Sequence, residues 1–236
     1  MKQRKETVDI VGEFVSTVDN SLFIKTITDL GDNKWLIQSC NTSYLFPLFE
    51  FVIDDINYKV LEESFVSNKS LVIESTATLE QGQTIILPEL KYYHGTIIAT
   101  KQELELVKFT KDKFPMVYLL ETLSDEFNNV DDSPIDRTSF LRMFFLTETD
   151  EENWNTNQHY NYAIVPMRNA LYQFVDALDR SPIIGQFDSY EAINHAKFGV
   201  NMQEKGHTKR IFNDKLSGVE LQINLPIKKS SKCYCS

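Results

Sequence analysis

The chain is poor in the residues that mark specialised classes. Its three cysteines, Cys40, Cys233 and Cys235, are too few and too unevenly placed for a disulfide framework. Only 8 Gly and 7 Pro occur in 236 residues, which excludes collagen-like and low-complexity chains. No segment approaches the ~20 apolar residues of a membrane span. The start, Met1-Lys2-Gln3-Arg4-Lys5-Glu6, leads into no apolar stretch of signal-peptide type. Positive charge is also scarce: 24 Lys and Arg stand against 34 Asp and Glu, a formal net charge of −10. Nucleic-acid affinity comes largely from Lys and Arg displacing counterions, so this balance repels phosphate backbones. The basic clusters Lys2-Gln3-Arg4-Lys5 and Lys228-Lys229 with Lys232 lack aromatic interleaving and read as solvated termini.

What is present is ordinary globular usage, 42% hydrophobic and 25% charged, with a rich 12% of aromatics. The expectation is a folded, soluble chain made in the cytosol, with no membrane partner. Its length suits one large domain or two modest ones, at ~100–200 residues per domain, and its core needs no staples.

Val8, Val11, Phe14, Val15 and Val18 recur at helical spacing and predict a helix over 6–18, although a β-branched run of this kind also suits a strand. From Leu22 the pattern changes. Phe23–Ile27 and Trp35–Cys40 flank a Gly31-Asp32-Asn33 turn, and Phe49–Ile53 and Tyr58–Leu61 flank Asp54-Asp55-Ile56-Asn57, so both read as hairpins. Further strands are predicted at Leu71–Ser75, Thr84–Leu87 and Tyr92–Ile98. Together they argue a small antiparallel barrel or sandwich over about 20–104.

The second half reads as a strand–strand–helix–strand layer. Its strands are Met116–Glu121, Arg137–Thr147 and Gly218–Leu225. Ile164, Met167, Leu171, Phe174, Val175 and Leu178 mark one face of the long helix. Segment 183–212 reads as irregular, and Asn128–Pro134 and Glu148–His159 as polar loops. The predicted class is α+β: residues 1–104 as helix plus barrel, 105–227 as one long helix on a sheet, 228–236 as a flexible tail.

Chemistry-bearing motifs are sparse. Phosphate loops, dinucleotide fingerprints and a Gly-x-Ser-x-Gly elbow are missing. Cys233-Tyr234-Cys235 with His195 and His207 has a one-residue cysteine spacing, where structural zinc sites use two to four. Loop carboxylates at Asp131, Asp132 and Asp136, and at Asp150-Glu151-Glu152, suit a metal-dependent hydrolase or nuclease, yet without a basic groove they read as solvated surface. His159 near Trp154 and Tyr160 reads as a packing residue rather than a general base. No catalytic residue, metal ligand or cofactor site is therefore assigned. Loop aromatics such as Tyr44, Phe46, Phe49, Tyr92 and Tyr93 suit an interface, and equally the chain's own core. The candidate interface residues are Trp154, Tyr160, Phe187, Tyr190, Phe198, Val219, Leu221 and Ile223.

One family likeness runs through residues 114–226. Its residues are Phe114-Pro115-Met116-Val117-Tyr118-Leu119-Leu120, the Arg137–Leu146 strand, and Glu152-Asn153-Trp154-Asn155-Thr156 running into Tyr160. Val165-Pro166-Met167, His195-Ala196-Lys197-Phe198-Gly199, Phe212-Asn213-Asp214-Lys215-Leu216 and Gly218-Val219-Glu220-Leu221-Gln222-Ile223 complete it. In these the chain resembles neck and tail-completion proteins of tailed bacteriophages, in the versions carried by phages and prophages of Bacteroidetes and the crAss-like group. Phe198 before Gly199 follows the family pattern, whereas Gly218 stands where the pattern has an acidic residue. The stretch Val52–Val60 is similar to small barrels of phage tail components.

The resemblance implies a structural virion protein without turnover, a head–tail connector or tail-completion piece. Copies would close into a homo-oligomeric ring, bound to the portal and other neck or tail proteins, with DNA passing through its lumen unread. Strand 219–225 would offer an edge for a neighbour. The location implied is the virion, after synthesis in the bacterial host cytoplasm. The alternatives are a metal-dependent hydrolase or nuclease and a monomeric phage-encoded adaptor.

Overall fold

A computed structural model describes residues 5–39, 44–47, 49–61, 70–108, 112–121, 124–128, 133–150, 152–202 and 208–229. In chain order these form α1 (Thr7–Val15), β1 (Ser21–Gly31), β2 (Lys34–Ser39), β3 (Glu50–Ile53), β4 (Ile56–Val60), β5 (Ser70–Ser75) and β6 (Thr84–Ile86). Then come β7 (Lys91–Gly95), α2 (Ile97–Leu106), β8 (Met116–Leu120), β9 (Ser124–Phe127) and β10 (Ile135–Glu148). The rest is α3 (Thr156–His159), α4 (Val165–Asp179), β11 (Tyr190–Phe198), β12 (Val200–Met202), β13 (Thr208–Arg210) and β14 (Leu216–Lys228). The class is α+β.

The first sheet, ordered β3-β4-β5-β2-β1-β6, curls into a nearly closed barrel. Its hairpins turn where the sequence marks them. Asp32 and Asn33 hold φ of 51° and 60°, and Asp54 and Asp55 hold 49° and 64°. Two successive positive φ values give a turn whose twist matches its strands, and Asp and Asn adopt that conformation readily. Leu22, Ile24, Ile37, Val60 and Ile73 fill the interior. Phe46, Phe49, Phe51 and Tyr58 make a buried aromatic row with ring centroids 4.9, 5.4 and 5.1 Å apart. Tyr44 is buried too, its hydroxyl donating to the Pro88 carbonyl. These loop aromatics therefore serve the core, each buried side chain contributing ~1.5–3 kcal/mol.

The second sheet is ordered β11-β14-β10-β8-β7, with β9 also pairing β10. Its spine is the β10–β14 ladder, unbroken from Arg137 opposite Ile227 to Glu148 opposite Leu216. One face carries α4, whose Met167, Leu171, Phe174 and Leu178 pack with Leu141, Phe145, Val219 and Leu221. Helix α1 lies beside α4, adding Ile10, Val11 and Val15 to a core continuous with the barrel interior. The other face is partly covered by Leu104 of α2 with Phe114, Phe198 and Phe212.

Several elements differ from the sequence expectation. The strand expected over Tyr92–Ile98 ends at Gly95 and pairs in parallel with β8, so it belongs to the second sheet rather than the barrel. After it, Thr96 accepts the Ala99 N–H and starts α2. Helix-forming Ala99 to Leu106 outweighs the strand-like Ile97-Ile98 pair. The sheets thus do not divide the chain at residue 104, because α1, β7 and α2 all pack with the second. The expected irregular segment 183–212 contains β11, and β9 was not foreseen. At the other end, β14 runs to Lys228, and the Lys229 N–H donates to the Pro134 carbonyl.

The long helix begins earlier than its apolar stripe suggests. Asn155 and Gln158 form a capping box for α3, and a π-helical turn, Tyr160–Ile164, joins α3 to α4. Pro166 near the start of α4 has no N–H to give. The wider turn just before it, with Val165 N–H on the Tyr160 carbonyl, absorbs the mismatch.

Candidate functional site

One polar cluster sits on the second sheet's partly covered face, where β10, β14 and β11 run side by side. Glu220 of β14 is 1% exposed. Its carboxylate accepts from both Nε and Nη2 of Arg142, the latter at 3.3 Å, and from Nε2 of Gln222 at 2.6 Å. His195 Nε2 lies 2.7 Å from Oε2. Burial alone pushes this carboxyl up. The hydrogen bonds from Arg142, Gln222 and His195, with the Arg142 charge, outweigh burial and hold it below the usual carboxylate range. Ionised Glu220 only accepts, so His195 Nε2 carries the proton. The guanidinium of Arg142 lies 5.5 Å from the Phe144 ring centroid, and the Phe144 and Phe198 rings stand edge-on to His195. This is a stapled, nearly buried carboxylate that ties three strands together.

A second network anchors α1. The Arg137 guanidinium donates to the Thr7 hydroxyl at 3.1 and 3.2 Å, to the Lys5 carbonyl at 2.7 Å and to Asp136 at 3.3 Å. Asp125 lies 3.5 Å away and also accepts from Ser139. Arg137 is buried, so its charge depends on these partners.

The expected interface residues scatter. Val219, Leu221 and Ile223 are buried with α4, and Phe198 sits in the smaller cluster. Trp154 is half-buried, edge-on to His159 and Tyr162 at 5.7 and 5.3 Å, while His159 Nδ1 lies 3.0 Å from the Thr149 hydroxyl. Phe187 packs half-buried against the main core. Tyr160 and Tyr190 are exposed, at 49% and 37%. Strand 219–225 is no edge: β14 pairs β10 on one side and β11 on the other. The terminal strand of the sheet is β11, whose weak alternation hid it in the sequence.

The loop carboxylates are accounted for where they are described. Asp136 pairs with Arg137, Asp150 accepts from the N–H groups of Glu152 and Asn153, and Glu152 pairs with Lys215. Asp131, Asp132, Glu151, His207, Cys40, Cys233 and Cys235 lie outside the described residues. Among the described residues no group of three His, Cys, Asp or Glu side chains is placed to hold a metal. No helix of the described residues is long and apolar enough to cross a membrane.

Sequence reasoning missed the Glu220 cluster. Glu220, Gln222 and Asn224 were expected on the outer face of an alternating strand, and only Asn224 is exposed. The signal was cross-strand: β10–β14 pairing sets Arg142 beside Gln222 and Phe144 beside Glu220. Comparison with protein-family models, with curated proteins and with solved structures finds no match for this chain.

Proposed function

We propose that this chain is a structural subunit without turnover, which closes with copies of itself into a ring in the neck or tail of a tailed bacteriophage. The observation that carries the assembly part is the distribution of polar and apolar groups. The Glu220 and Arg137 networks are engaged within the fold, while large apolar side chains stand in solvent, with Leu106 83% and Ile98 65% exposed on α2 and Tyr190 and Ile193 exposed on β11. Exposed apolar side chains of this size suit burial against another protein surface.

The phage placement rests on the likeness of residues 114–226 to neck and tail-completion proteins. A net charge of −10 supports it, because a negative wall lets DNA slide through a channel rather than adhere. In this reading the portal and other neck or tail proteins are the outer partners, and the protein moves from host cytoplasm to virion on assembly.

The test is the native mass of the full chain across concentration, with particle images of any large species. A ring with a central hole is the expected result, on its own or on a portal template. A chain that stays monomeric and also ignores portal and tail components sinks the proposal.

A further inference from the structure

The second sheet stops at both ends on an unpaired strand. Among the described residues β11 pairs only β14, and β7 pairs only β8. An open strand edge presents N–H and C=O groups ready to pair with another chain. From its start at Tyr190 to Asn194, β11 is regular and largely exposed, with a register shift only beyond His195. Its Ala192 carbonyl accepts a long 3.4 Å bond from Arg168 Nη2, which an arriving strand would displace.

The directions of the two end strands also match what a ring requires. β11, β14, β10 and β8 are successively antiparallel, and β7 is parallel to β8. β11 and β7 therefore run in opposite directions. A rotation about an axis along the strands preserves direction, so β7 of the next copy reaches β11 antiparallel. A contact between two different edges is heterologous, the kind that closes rings.

The charges select a register. Tyr93 packs on the face that carries Phe144, and Glu191 lies on that same face opposite Gln222. Setting Tyr93 of one copy opposite Glu191 of the next keeps each face continuous. Lys91 then falls opposite Ile193 and diagonal to Glu191. Directly opposed and diagonal neighbours are close enough for such pairs to interact. Lys91 and Glu191 are both exposed in the single chain.

We infer that copies of this chain join by adding the β7 edge of one to the β11 edge of the next, in an antiparallel register that sets Lys91 beside Glu191. The inference rests on the self-assembly proposed above. The backbone ladder supplies most of the attraction, since exposed ion pairs contribute little, and the charges fix register and partner.

The test is a charge-swap cycle on the full chain, read by sedimentation across concentration. Glu191→Lys and Lys91→Glu are each expected to weaken self-association by about tenfold or more, and the double variant to return to within about threefold of the wild type. Circular dichroism checks that each exposed-site variant keeps its fold. Hydrogen exchange of the wild type is expected to show amides of β7 and β11 slowing on assembly. If the wild type assembles while these amides stay unprotected and both single variants assemble normally, the contact is overturned and the assembly proposal stands. A wild type that forms no assembly alone or with portal and tail components overturns both.

Discussion

The two sheets of this protein solve the same burial problem with different kinds of information. The barrel sheet is built from short strands whose hairpins are written locally, in Asp32-Asn33 and Asp54-Asp55. The second sheet is built from distant pairings: β10 with β14 across some seventy residues, and β7 with β8 across an intervening helix. It also buries charge, at Arg137 and Glu220, where the barrel interior is mainly aliphatic and aromatic. Local turn chemistry fixes the barrel, whereas close backbone approach and ion pairing lock the second sheet.

The largest expected effect tests that close approach. A Cβ at Gly218 would sit 1.9 Å from the Phe145 carbonyl oxygen, so Gly218→Glu forces two backbones apart. The variant is expected to lose more than about 4 kcal/mol and to be recovered unfolded. A soluble variant with wild-type denaturation would show that the spacing is not tight. Next, Arg137→Met takes the buried guanidinium away from Asp125, Asp136 and Thr7. Its expected cost is about 3 kcal/mol, with faster hydrogen exchange through α1 as the distinguishing readout.

Ile37→Ala in the barrel is expected to cost ~2–4 kcal/mol. Because its core is continuous with that beneath α4, both sheets should still melt in one transition, followed by far-ultraviolet dichroism and tryptophan fluorescence. Two separated transitions would show that the sheets fold independently.

Arg142→Met removes the strongest partner of Glu220, for an expected ~1–3 kcal/mol at pH 7. The Glu220 carboxyl is held below its ordinary value, so its stabilising contribution is present above the unfolded-state value, near ~4.3, and is lost as pH falls through the folded-state value. The gap between wild type and Arg142→Met should therefore narrow in urea titrations below about pH 4. A gap that stays constant from pH 7 to pH 3 contradicts the ion-pair account. The smallest effect is expected at Glu148. Desolvation by the surrounding chain and the nearby charge of Asp214 raise its carboxyl, against the opposing pull of Lys113. The side chain is exposed, so solvent screens most of this and its ionised form disfavours the fold only weakly at neutral pH. Glu148→Gln should raise the melting temperature slightly at pH 7, with the gain disappearing as the pH approaches the carboxylate range.

What the sequence disclosed follows the same division. Both hairpin turns and the face of α4 were legible, because turn residues and a 3.6-residue stripe are local signals. Helix α2 was not, since Ile97-Ile98 continues the appearance of a strand that Gly95 and Thr96 end. Strand β11 was not, because a terminal strand exposed on much of both faces shows little alternation. Of the candidate surface, Tyr190 was legible as an aromatic, but its place beside a free strand edge was not. Glu220 looked like an ordinary outward residue, since nothing near it in the sequence announces Arg142 or His195.

The β10–β14 ladder has a mechanical consequence. Chain enters the ladder at Ile135 and leaves it at Lys228, and these two residues face each other at the same end. Tension applied to the chain just outside them peels the pairs one after another from that end. Tension applied between Lys228 and Glu148, at opposite ends, would instead load every rung together. The sheet is therefore weakest to a pull on its open end, and the bond from Lys229 N–H to the Pro134 carbonyl is the first rung such a pull must break.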